Sequence, residues 1–234
     1  MALPTEKTSF EQLYVDLLFT GAYLSGTQGL APLGKKVLDA RKQVLAQAAK
    51  RNEQADERVR AHAQLSIAWD VLGAPLISFE RQAAAWFDED QEGYAQVFPS
   101  TPKSMLKQPE IHRAEALAPV LAFAKQSGLS GKIALAAKAL TSAWTDYAAA
   151  ARESHAADQA LAAAVKALHL TKIRGVVAMR EIEGELRAKF AGDPKLWKRF
   201  FRVKSGKAEA EHAAPPAGSE PPPVPPPATG KGGQ

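Results

Sequence analysis

The 234-residue chain contains five histidines and no cysteine. Metal or acid–base chemistry would therefore have to come from imidazole, carboxylate and hydroxyl groups, and thiolate zinc, iron–sulfur and disulfide scaffolds are excluded. A di-metal site in a helical bundle draws a Glu-x-x-His pair from each of two helices, with further glutamates beside them. Only His212 has a glutamate three residues ahead, Glu209, and that pair falls in a Pro/Gly-rich terminus. His62, His112, His155 and His169 lack such a partner. His155 and Asp158 stand at i, i+3 on one helix face, a spacing that binds a cation weakly and far more often makes a polar contact along a seam. A triad or acid–base dyad needs its groups presented from rigid loops, and this sequence offers few loops. Thr229-Gly230-Lys231-Gly232-Gly233 has no helix after it and is no phosphate-binding loop. No catalytic, cofactor-binding or metal-binding residue is expected, and the chain reads as a non-enzymatic protein.

Charge is the uneven feature. Residues 1–100 hold 10 basic and 13 acidic side chains, whereas 101–234 hold 20 and 12. The excess concentrates in 189–207, where seven Lys and Arg face Asp193 alone. Lys195, Lys198, Arg199, Arg202 and Lys204 are the candidate interaction residues, with Leu196, Trp197, Phe200 and Phe201 interleaved. Such a segment can bind nucleic-acid phosphates or an anionic surface. It can equally be a closing amphipathic helix whose rings cap a core while its lysines are solvated. The second reading is preferred, because Tyr94 and Phe98 occupy matching positions among Asp88, Glu89, Asp90 and Glu92. Rings that recur while the charge reverses serve the fold. Trp69, Trp86, Trp144 and Trp197 are likewise expected to anchor a core in which alanine is the usual neighbour.

The elements that must carry these groups are helices. Of the 234 residues, 46 are alanine, the best helix former, and apolar residues recur every three or four positions with no alternation of period two. One seam runs through Val37, Val44, Val59, Trp69, Phe79 and Phe87. The other runs through Ile133, Leu140, Tyr147, Val165, Val176 and Leu186. The stretches correspond: Phe87, Asp90, Tyr94 and Phe98 reappear as Phe190, Asp193, Trp197 and Phe201 at an offset of 103. A shorter apolar helix precedes each, near 10–24 and 109–126. Gly73-Ala74-Pro75 is expected to stop or kink the first long helix, and Pro119 to kink the shorter one. The second long helix has only Gly175 at the matching place and can run through. Asp193-Pro194 is a helix start, with Asp90, Ser130 and Thr101-Pro102 as further starts.

The expected fold is all-α, an elongated antiparallel bundle of two duplicated repeats related by a pseudo-twofold. Its divisions are a flexible 1–9, repeat 1 over 10–99, repeat 2 over 100–204 and a Pro/Gly-rich tail over 205–234. Eight of the 16 prolines fall in that tail, so it is expected to be disordered, a spacer in preference to a docking peptide. Neither an export signal nor a bilayer-length apolar run is evident. The chain is expected in the cytoplasm, with protein partners or itself as ligand and nucleic acid as the less favoured alternative.

Overall fold

The structure is a computed structural model that describes residues 3–202; Lys204 and the Pro/Gly-rich segment lie outside the described residues. Those residues form seven helices and no strand: α1 (Phe10–Ser25), α2 (Ala31–Phe87), α3 (Gln91–Val97), α4 (Pro102–Leu106), α5 (Glu110–Ala124), α6 (Gly131–Lys189) and α7 (Pro194–Lys198). At 1.5 Å per residue the 57 residues of α2 and the 59 of α6 each reach about 85–90 Å. They run antiparallel along one another. Lys36 meets Glu185, Arg58 meets Asp158, and Trp69 meets Tyr147, so the order along one helix reverses along the other.

Two separate cores form because large side chains cluster at the ends of this pair. At the first end Leu13, Leu17 and Leu24 of α1 pack with Val37 and Val44 of α2 and with Val176, Ile182 and Leu186 of α6. Trp197, Phe200 and Phe201 close that core. At the second end Leu72, Phe79, Leu117, Val120, Ile133 and Leu140 pack together, with Met105 beneath. Trp69 is fixed there on three sides: its ring lies 5.0 Å from Tyr147, Arg113 sits 4.1 Å over it, and its indole N–H donates to the Leu106 carbonyl at 3.1 Å.

Between the cores lies a waist of two helices. No residue of α2 from Leu45 to Arg60 is buried, and on α6 only Ser154, Ala157 and Ala164 are buried between Ala148 and Leu170. Small side chains let the backbones close up without large groups, so the waist has contact but little buried apolar area. Val59 (69% exposed) and Val165 (48%) therefore stand off the seam, contrary to the sequence expectation. The face turned to α6 carries Arg58, Ala61, His62 and Leu65, and Val59 lies about 100° around the helix from Arg58.

Local signals set most of the ends. Asp193 accepts from the backbone N–H groups of Lys195 and Leu196, Asp90 from Gly93, and Thr101 from Ser104. Ser130 occupies the N-cap position of α6 but makes no side-chain cap bond. Pro75 neither stops nor breaks α2, and Pro119 lies inside a continuous α5. Pro75 withdraws one donor, which would otherwise reach Val71, and Val71 lies on an exposed turn where water can serve its carbonyl. Leu72, Leu76 and Phe79, all fully buried, hold the helix on both sides of the proline. The α6 helix runs through Gly175, where the backbone approaches Leu13, Leu17 and Val44. Trp86 is 46% exposed and anchors nothing at the core's centre, which corrects its assignment; Trp69 and Trp197 are buried as expected.

Candidate interaction surface

Helix α1 is apolar on both sides. Leu13, Leu17 and Leu24 are fully buried, yet Val15 (36% exposed), Leu18 (39%), Phe19 (39%) and Tyr23 (44%) point away from the bundle. Helices apolar all round are normally covered all round. Positions 15, 18, 19, 22 and 23 follow the three–one–three–one spacing of a helix face, and with Ala22 they line a shallow hollow of about 400 Å³. Glu11 and Asp16 are the only charges on α1, and Asp16 is buried, holding a hydrogen bond from the Gln12 amide at 2.8 Å.

The stripe meets the turn that follows the last helix. Phe19 stacks on Tyr23 with centroids 6.1 Å apart, and Tyr23 meets the edge of Phe200 at 5.3 Å. Leu196 of α7 lies four residues before Phe200 and is 37% exposed. This strip exposes on the order of 300 Å² of apolar surface, and covering it is worth at most about 10 kcal/mol.

Cations border it. Lys195, Lys198 and Arg199 are exposed, and Arg202 is partly buried. Neither Lys195 nor Arg199 has a carboxylate partner among the described residues, while the Lys198 ammonium lies 5.7 Å over the Trp197 ring. Arg187 covers the same ring at 4.7 Å and is itself held by Glu183 at 2.5 Å. The structure thus brings Lys195, Lys198 and Arg199 to one end of the rod, and it turns Trp197, Phe200 and Phe201 inward. Residues 3–45 and 170–202, which build this end, carry 14 Lys and Arg against 8 Asp and Glu. The remaining described residues, 46–169, carry 13 against 14, so the positive excess belongs to one end alone.

The sequence missed the α1 stripe, although its signal was present. A helix whose two apolar faces together exceed one seam leaves a face over, and the 10–24 segment has only two charged residues. Elsewhere the waist holds one ion cluster. Arg58 Nε donates to Asp158 Oδ1 at 2.5 Å, and His62 Nε2 lies 3.3 Å from the same oxygen. The Arg58 hydrogen bond, then that of His62, hold the Asp158 carboxyl below the usual carboxylate range. His155 pairs with Gln159 at 2.9 Å and not with Asp158, so the i, i+3 pair expected from the sequence does not form. No group of three or more metal-ligating side chains occurs among the described residues. No described helix is long and apolar enough to cross a membrane.

Compared with protein-family models, with curated proteins and with solved structures, the chain matches none. Function must therefore be argued from this geometry.

Proposed function

We propose that the protein is a non-enzymatic helical rod, working in the cytoplasm, that engages partners through the end built by α1 and α7. The observation that carries this reading is the apolar α1 stripe, left uncovered at the end of the rod that also carries the exposed Lys195, Lys198 and Arg199. A waist of two continuous helices suits a spacer that keeps such a surface about 85 Å from the opposite end. Self-association is one mode of this engagement, and nucleic acid is less favoured. Stacking on bases needs exposed rings, whereas Trp197, Phe200 and Phe201 are buried. Light scattering, with pull-downs on the full chain and on one ending at Lys204, tests the reading. A monomer that retains no protein partner and no lipid in either form contradicts it. Retention on DNA across a salt series, weakened by Lys198→Glu, Arg199→Glu and Arg202→Glu together, would favour the nucleic-acid alternative instead.

We also read α1–α2–α3 and α5–α6–α7 as two copies of one repeat. Their lengths support this, 16, 57 and 7 residues against 15, 59 and 5, as do Asp90 and Asp193 capping the last helix of each. Sequences of relatives in which 10–99 and 100–204 resemble each other no more than unrelated alanine-rich helices would defeat it.

A further inference from the structure

Taking the α1/α7 end as the working surface, we propose that its occupant is an anionic lipid surface. Helix α1 lies flat on it, with Val15, Leu18, Phe19 and Tyr23 at the headgroup–acyl boundary and Lys195, Lys198 and Arg199 over the lipid phosphates.

Shape argues first. The hollow on the stripe is lined by Val15, Leu18, Phe19, Ala22 and Tyr23, all from α1. A partner helix docks in a groove with two walls; a single ridge without a second wall fits a plane. Charge argues next. Residues 3–45 and 170–202 hold 14 basic against 8 acidic side chains. Two copies meeting stripe to stripe would set two such ends against each other, whereas an anionic surface complements each one. The exposed face of α1 carries no basic group of its own, so the cations come from residues 195–199 of α7 and its C-cap, which lead directly into Phe200, whose ring meets Tyr23 at 5.3 Å. The combination argues last. Nucleic acid would use the cations and the rings of Phe19 and Tyr23 but leave Val15, Leu18 and Leu196 wet, while a lipid interface covers the whole strip.

The test is co-sedimentation of the full chain with phosphatidylcholine vesicles, with and without phosphatidylglycerol, at low and high salt. The wild type is expected to pellet with the anionic vesicles only, and less at high salt. Partitioning should fall at least about tenfold in Phe19→Glu/Tyr23→Glu and again in Lys195→Glu/Lys198→Glu/Arg199→Glu. Equal binding to neutral vesicles, no pelleting, or unchanged binding in the charge-reversed variant overturns the proposal. Circular dichroism checks each variant's helix content. If the α1 variant loses helix, the charge-reversed variant decides, since its three sites are all exposed. Light scattering without vesicles separates the two claims. Vesicles ignored, with an oligomer that the α1 variant dissociates, overturns the lipid and keeps the surface. Vesicles ignored, with a mass insensitive to the variant, removes both.

Discussion

Tyr94 donates its hydroxyl proton to Glu80 at 2.7 Å, tying α3 to α2. Burial, then this hydrogen bond to a carboxylate, push its phenol up to about 12 from the ordinary 10. A raised folded value means that the neutral phenol is favoured by the fold. Its contribution is complete below pH ~10 and disappears as pH climbs toward 12. Tyrosinate absorbance should show one tyrosine titrating late, and Tyr94→Phe should remove that step; a spectrum with no late step contradicts the Glu80 contact. Asp158 has the opposite sign. Its carboxyl is depressed by Arg58 and His62, so its contribution holds above the unfolded carboxylate value and is lost as acid takes pH through the folded one. Asp158→Asn should flatten the acid limb of the melting temperature, and an unchanged limb counts against the cluster. At this scale the sequence was readable where a side chain acts on its own neighbours, as Asp193 and Asp90 do at helix starts. The partner of Asp158 was not readable, because Arg58 is 100 residues away and only the register of α2 on α6 brings it there.

Helix α1 approaches α2 where two glycines remove the side chains. A Cβ at Gly34 would lie 2.6 Å from the Ser25 backbone nitrogen and 2.9 Å from the Gly21 carbonyl oxygen, neither of which can yield without moving α1. Gly34→Ala should therefore destabilise, by roughly 1–3 kcal/mol for an overpacked contact. Gly184, also inside a helix, has nothing within 4 Å of its virtual Cβ. Gly184→Ala should stabilise by up to ~1 kcal/mol, the helix-propensity gain alone. Opposite signs in chemical denaturation are the expected outcome, and equal signs would mean that α1 does not sit this close. Asp193→Ala should cost about 0.5–2 kcal/mol of local stability in α7. Helix existence and the spacing of the short apolar helices were legible in the sequence from periodicity and alanine content. Continuity through Pro75 was not, because local rules give a proline no knowledge of Leu72 and Phe79 being locked on either side of it. The unpartnered face of α1 escaped for a related reason: periodicity reports that a residue is apolar, while the number of neighbours decides which apolar face is covered.

Two cores joined by a waist should not open as one. The helical segment 47–60 buries no side chain and 150–164 only Ser154, Ala157 and Ala164, whereas Leu72, Phe79, Ile182 and Leu186 are fully buried at the ends. Backbone amides of the waist should exchange with solvent faster than those of both ends, and uniform protection along α2 and α6 would contradict two separate cores. The all-helical, elongated, antiparallel arrangement was legible from the two seams; their interruption was not, since alanine counts as apolar in a periodic pattern yet buries little. The proposed function depends on distance at this scale, because the charged, apolar end would work apart from the rest only if the rod is extended. The absence of cysteine allows a unique pair of dyes at Thr27→Cys and Glu89→Cys, just beyond the two ends of α2. Single-molecule energy transfer should report a separation of about 85 Å. A separation of about 45 Å or less, the breadth of a compact domain of this size, would show that α2 is folded back on itself and that the rod does not exist.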